Sequence, residues 1–177
     1  EGVPHQKREG VISYQDATPE RVIAYLRRNG YEALNGERSA QDAKEDPAVL
    51  KNVDFQGLRI NVENLRGDVR HGETFHQKMT APYGYIRLSE GTDGDAVDCF
   101  LGSVLDAPWV YVIHSRNKWG EYDEDKVMLG FDSEDAAREC FLENYDHPEF
   151  LGNIEKFTMT DFKYKLKALK GKKITGA

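Results

Sequence analysis

Residues 58–64 read LRINVEN, and the alternation within them decides what kind of domain this is. Leu58, Ile60 and Val62 fall on one side, Arg59, Asn61 and Glu63 on the other. Successive Cβ atoms of a strand point to opposite faces, so a period of two predicts a strand with one face in a core and the other in water. Four more apolar segments follow, YGYIRL at 83–88, AVDCFLG at 96–102, WVYVIH at 109–114 and KVMLGF at 126–131. Turns containing Gly, Asp or Asn separate them. Five strands with mostly short gaps predict a small antiparallel sheet or barrel.

Helices flank this strand-rich middle. Upstream, Thr18, Pro19 and Glu20 supply a hydroxyl N-cap, a proline at the first helical position and an acid at the positive end of the dipole. Val22, Ile23 and Leu26 form a modest apolar stripe, and Gly30 stops it. The chain then turns polar through GERSAQDAKED at 36–46, and Pro47 closes that stretch. We therefore divide the chain near Val53, with an N-terminal helical segment and linker over 1–52 and a barrel domain over 53–177. Downstream, Asp132 and Ser133 precede EDAARECFLENY, in which Ala136, Cys140 and Phe141 recur at helical spacing. A short strand is expected near 154–157. Thr160 is expected to cap DFKYKLKALK, with Phe162, Leu166 and Leu169 as its stripe and Gly171 at its end. The class is α+β, with helices packed outside the strands.

The 177 residues hold 24 Lys+Arg against 31 Asp+Glu, a formal charge of -7. That balance argues against a surface that wraps nucleic acid, which needs clustered cationic excess. A small polyanion is still admissible, because a bound divalent cation reverses the local field. Cys99 and Cys140 stand alone, which argues against a zinc site or a disulfide framework. No apolar run reaches membrane-spanning length and the amino end is polar. The expectation is a cytoplasmic protein without a membrane partner. A first residue of Glu suggests a processed product or part of a larger polypeptide.

The acids carry the chemistry. In EGTDGDAVDCF, 90–100, Asp93, Asp95 and Asp98 crowd around Gly94 and run directly into an apolar segment. Unit charges about 4 Å apart repel by roughly 1 kcal/mol even in water. Convergence of three carboxylates is best tolerated around a cation, and oxygen donors without Cys or His select Mg²⁺, Mn²⁺ or Ca²⁺. A calcium-binding EF-hand loop fails on spacing, because Asp98 stands where its glycine belongs and Val104 where its last glutamate belongs. The plainer alternative is a charged turn before a strand. A second acidic group, Glu121, Asp123, Glu124 and Asp125, opens the KVMLGF strand. By alternation Glu124 and Lys126 share one face, Asp123 and Asp125 the other. Two strands that begin in acids could line one rim of a sheet, the arrangement that lets two metal ions clamp a phosphoryl group. Arg66, Arg70, Lys78 and Arg87 are cations available to face its oxygens.

Together, INVENLRGDVRHG, APYGYIRLSEGTDGDAVDCFLG and DEDKVMLGF resemble the soluble, metal-dependent inorganic pyrophosphatases of the family-I type, over roughly 57–131. The segments KVMLGFDSEDAA and LGNIEKFTMTDFK look more like the compact pyrophosphatase-like domains of large phage and mobile-element proteins. The resemblance implies a five-stranded OB-like barrel with helices outside it, acting in a bacterial or phage-infected cell. It also implies hydrolysis of pyrophosphate with Mg²⁺, or Mn²⁺, as cofactor. Asp93, Asp98, Asp123, Glu124 and Glu63 would serve the metal site, Asp98 as a bridge between ions and Glu63 through metal-held water. Asp95 would orient or deprotonate the attacking water. Tyr83 and Lys126 would hold phosphate oxygens, joined by Arg70, Lys78 and Tyr145. The chain departs from the family pattern at Ala96, where Pro or Glu is usual, and at Glu124, which takes an aspartate's slot. It departs again at Asp146, which follows Tyr145 where a lysine is expected. Three readings stay open: a pyrophosphatase, a hydrolase of another phosphoanhydride such as a nucleotide, and a catalytically quiet binding or structural module.

Overall fold

The computed structural model describes residues 32–33, 51–67, 69–71 and 76–176. The helix expected over 18–30 lies outside the described residues. The strands are β1 (Glu32–Ala33), β2 (Lys51–Phe55), β3 (Leu58–Asn64), β4 (Val69–His71), β5 (His76–Lys78), β6 (Tyr83–Ile86), β7 (Asp98–Leu101), β8 (Trp109–Arg116), β9 (Tyr122–Leu129) and β10 (Ile154–Thr158). Two α-helices follow the strand-rich part, α1 (Glu134–Asn144) and α2 (Met159–Ala168), so the class is α+β as expected.

Eight strands form one sheet in the order β1-β2-β3-β6-β7-β9-β8-β10, while β4 and β5 pair as a separate hairpin. The five expected strands are the contiguous middle of that sheet. A closed five-stranded barrel is not what they make, because β2 extends the sheet beyond β3 and β10 extends it beyond β8. No pairing among the described residues closes the two ends. Instead the sheet curls. A single buried cluster unites Val53 and Ile60 near one end with Val110 and Phe157 near the other. The strand β2 escapes a periodicity reading because Val53 and Phe55 are its only apolar residues.

Alternation sorts the side chains onto two faces. On the concave face, Cys99 and Leu101 of β7 meet Val127 and Leu129 of β9, and Phe162 of α2 closes the cluster. On the convex face Tyr83, Phe100, Tyr111 and Met128 pack under Ala137, Cys140 and Phe141 of α1. Burial pushes the Cys140 thiol pKa up to about 12, so it serves as a small apolar filler there. The β6 strand needs a glycine at its centre, because a Cβ on Gly84 would overlap the carbonyl oxygen of Asn61 in β3.

The helix ends follow capping chemistry. Ser133 Oγ accepts from the Ala136 amide at 3.0 Å. For α2 the cap is Thr158 rather than Thr160, with Oγ1 accepting from the Asp161 amide at 3.1 Å. The last residue of β10 therefore doubles as the helix cap, and α2 starts two residues earlier than Thr160 predicts. The Lys163 ammonium donates to the Gln56 carbonyl, and Gln56 Nε2 donates to the Leu105 and Ala107 carbonyls at 2.9 and 3.0 Å. These bonds tie α2 and the β7–β8 connection to the β2–β3 turn.

Candidate active site

All neighbouring strands pair antiparallel except β7 and β9, which run parallel with Asp98 opposite Lys126. That register sets the charge geometry. Lys126 Nζ lies 2.7 Å from Asp98 Oδ2 and 3.1 Å from Glu124 Oε2, and it donates to Tyr83 Oη at 3.0 Å. Glu124 reaches the same ammonium because it stands two residues back on β9, on the same face. Lys126 is buried, and its side chain is 8% exposed against 26% for Asp98 and 29% for Glu124. Burial alone would drive its proton off. Tyr83 and Tyr145 oppose that, as do the Asp98 and Glu124 carboxylates, and together they hold its pKa well above the ordinary lysine value. Glu124 is raised, by burial first and by the Asp98 charge, against the pull of Lys126.

Aromatic rings frame the cluster. Tyr83 packs on Phe100 at 4.7 Å between centroids, and Tyr145 packs on Phe141 at 4.5 Å. The ammonium lies 5.5 Å from the Tyr83 ring and 5.9 Å from that of Tyr145. The Tyr145 hydroxyl is buried and has no hydrogen-bond partner among the described residues. Asn144 fixes the end of α1 just before it. Its Oδ1 accepts from the Thr80 amide at 3.0 Å, and its Nδ2 donates to the Cys140 carbonyl at 2.7 Å. Lys126, Glu124, Asp123 and Tyr145 open into a cleft of about 520 Å³ between the β8–β9 hairpin and the segment after α1.

The other expected site residues are placed differently. Asp93 and Asp95 lie in an exposed turn, in which Asp93 Oδ1 accepts from the Asp95 amide at 3.0 Å and Gly94 adopts a φ of +87°. Val97 and Ile86 tie that turn to β6 through the Val97 carbonyl at 2.9 Å. Glu63 sits at the irregularity of β3 between Val62 and Asn64. Burial first, then the Asp98 charge and that of Glu63, raise the Cys99 thiol. Arg70 is on β4 and Lys78 on β5, in the separate hairpin, with Lys78 exposed. Among the described residues, no three acidic, His or Cys side chains gather into a ligand shell.

A second charged cluster, on the concave face, was not anticipated. His114 Nδ1 is 2.6 Å from Asp125 Oδ1, and Nε2 is 2.7 Å from Glu155 Oε2. Asp125 Oδ2 accepts from the Ile174 amide and Glu155 Oε1 from that of Gly176, both at 2.8 Å. Burial disfavours the charged imidazole, but the two carboxylates outweigh it and raise the His114 pKa. Burial acts to raise Glu155 as well, and its bonds to His114 and Gly176 overcome that and lower it. The only sequence signal was a histidine ending an apolar strand. Thus β9 feeds two clusters in succession, Glu124 and Lys126 outward and Asp125 inward.

No helix among the described residues is long and apolar enough to cross a membrane. A family model described as Inorganic Pyrophosphatase matches residues 40–167. No curated protein and no solved structure gave a match.

Proposed function

This chain belongs to the inorganic pyrophosphatase family, and from that premise we propose that it hydrolyses pyrophosphate to phosphate with Mg²⁺, or Mn²⁺, as cofactor. The observation that carries the reading is the Asp98–Lys126–Glu124 cluster with Tyr83, of which Lys126 and Glu124 line the cleft. A buried ammonium held protonated there is a fixed positive charge for a phosphate oxygen, and it needs no reorganisation during reaction. The Tyr145 hydroxyl, buried and unpaired among the described residues, is a second donor that a phosphate oxygen would satisfy.

The donor set suits a hard divalent cation. Asp98 and Glu124 offer only carboxylate oxygens; burial first, and then the Asp98 charge, raise Glu124, and a cation would offset both. These two would hold the metal, with Asp93, Asp123 and Glu63 completing the donor set in our reading. When bound, a pair of such ions would polarise phosphate oxygens and acidify the attacking water. Asp95, in its exposed turn, orients that water and accepts its proton. Tyr83 and Lys126 hold the oxygens of the leaving phosphate, while Arg70 and Lys78 contribute positive charge to the incoming substrate. We place the chain with the compact phage and mobile-element members of the family, acting in the cytoplasm, on the wording of 126–137 and 151–163.

Phosphate release from pyrophosphate, with and without Mg²⁺, tests the reading. Metal-dependent release abolished by Asp95→Asn is expected; absence of release, with Asp95→Asn indistinguishable from the parent, would sink it. A quiet binding module is the second reading, favoured because Lys126 already engages both Asp98 and Glu124. Calorimetry separates the two, since a module of that kind takes up no Mg²⁺ that Asp98→Ala abolishes.

A further inference from the structure

Inorganic pyrophosphate is oxygen over its whole surface, yet much of the cleft is aromatic. Trp119, His147 and Phe150 line it beyond Tyr145 and the charged floor. Trp119 is 72% exposed, in the turn of the β8–β9 hairpin. Asn117 Oδ1 accepts from the Trp119 amide at 2.9 Å and from that of Glu121 at 3.1 Å, and the Asn117 amide donates to the Glu121 carbonyl at 2.9 Å. From the segment after α1, the His147 and Phe150 rings lie 5.0 Å apart between centroids, tilted by 43°. Two chain segments therefore bring rings to one cleft whose floor carries the Lys126 ammonium. Cations accompany the rings. Arg116 lines the cleft, and Lys118 Nζ lies 4.8 Å from the Trp119 ring. Asp146 and Glu149 approach the His147 ring at 3.6 and 3.3 Å.

We propose that this cleft takes a nucleoside 5′-polyphosphate, its base stacked on the Trp119 and His147–Phe150 rings and its terminal phosphates directed to Lys126. The proposal rests on the hydrolase reading of that floor for its chemistry, but not for its binding. Bases stack on aromatic side chains irrespective of sequence because every base has a π-face. In the reaction a water oxygen bonds to the terminal phosphorus and the bridging P–O bond breaks. Its electron pair stays with the shortened nucleotide, and the water's proton passes to a carboxylate and then to solvent.

The test compares ATP with inorganic tripolyphosphate, which has the same chain of phosphates and no ring. With Mg²⁺, the kcat/KM for ATP is expected to exceed that for tripolyphosphate by about tenfold or more, the contribution of one stacked base. Trp119→Ala should shrink that ratio by a similar factor, mainly through KM. Equal use of the two substrates, or a ratio that Trp119→Ala leaves unmoved, overturns the proposal. Calorimetry with a methylene-bridged, non-hydrolysable ADP analogue separates this from the hydrolase reading. Analogue binding weakened about tenfold by Trp119→Ala, in a protein that cleaves nothing, keeps the cleft assignment and removes the hydrolase. Pyrophosphate cleavage without analogue binding does the reverse.

Discussion

Replacing His114 by Phe should be among the most damaging single changes in the concave core. The ring volume is nearly kept, and what disappears is the charge between Asp125 and Glu155, at 2.6 and 2.7 Å. Removing one partner of a fully buried pair costs about 3–5 kcal/mol, because the other charge is left uncompensated. The Asp125 side chain is only 5% exposed, but it keeps the Ile174 amide, so its share is about 2–3 kcal/mol. The Glu155 side chain is 35% exposed, and its pair adds about 0–1 kcal/mol. A loss of about 3 kcal/mol should lower the urea midpoint by about 1–2 M and Tm by roughly 10 °C. The pH dependence carries a definite sign. The folded pKa of His114 lies above its ordinary 6.5, so its contribution is complete below that value and fades as pH rises through the folded pKa. Glu155 is lowered from 4.5, so its contribution is present above that value and lost as pH falls through the folded pKa. Wild-type stability should therefore hold between these limits and decline on the alkaline side, and His114→Phe should lack that decline. Urea melts across pH 5–9 read both quantities. A loss under about 1 kcal/mol, or an alkaline decline of equal slope in both proteins, would refute the reasoning.

Lys126→Met leaves Asp98 and Glu124 facing each other. Partial exposure discounts the buried-pair cost to about 2–3 kcal/mol. Millimolar Mg²⁺ should return part of that in thermal melts, more than it stabilises the wild type, and a variant as stable as wild type without Mg²⁺ would contradict the site geometry. Asn144→Ala removes the bonds to Thr80 and Cys140 and should cost about 2 kcal/mol. Because Asn144 fixes the chain just before Tyr145, phosphate release should fall as well, measured after stability is matched by lowering temperature. Gly84→Ala forces β3 and β6 apart and should cost more than about 3 kcal/mol, seen as loss of folded yield or a collapsed urea midpoint.

The strands were legible as apolar segments bounded by turns, and Leu58, Ile60 and Val62 are buried together as their alternation predicts. Asn61 on the opposite face is buried too, because both faces of the central sheet are covered. The same rule placed Glu124 with Lys126 on one face, which the 3.1 Å ion pair bears out. What a local pattern cannot carry is the partner of each strand. That Asp98 faces Lys126 follows from a parallel pairing between segments separated by β8, and nothing in either segment specifies it. For the same reason Asp125 read as one more acid of a cluster, when its partners are His114 on β8 and the Ile174 amide. The sheet's width was underestimated because β2 presents only two apolar residues, and closure was expected where β2 and β10 instead extend the edges. Thr158 and Thr160 are both acceptable caps in isolation, and the extent of β10 selects the first.

The insertion of β9 between β7 and β8 also dictates an order of events as the chain folds. The β8–β9 hairpin can close on its own, since its turn is local and Asn117 braces it. Docking of the hairpin's free edge on β7 is a non-local step that bears the loop-closure entropy before any reward arrives. Only at that step does Asp98 meet Lys126. The Asp98–Lys126–Glu124 cluster cannot then pre-exist in a partly folded intermediate, and on refolding from urea the proposed phosphate release should return in the same slow kinetic phase as the sheet itself.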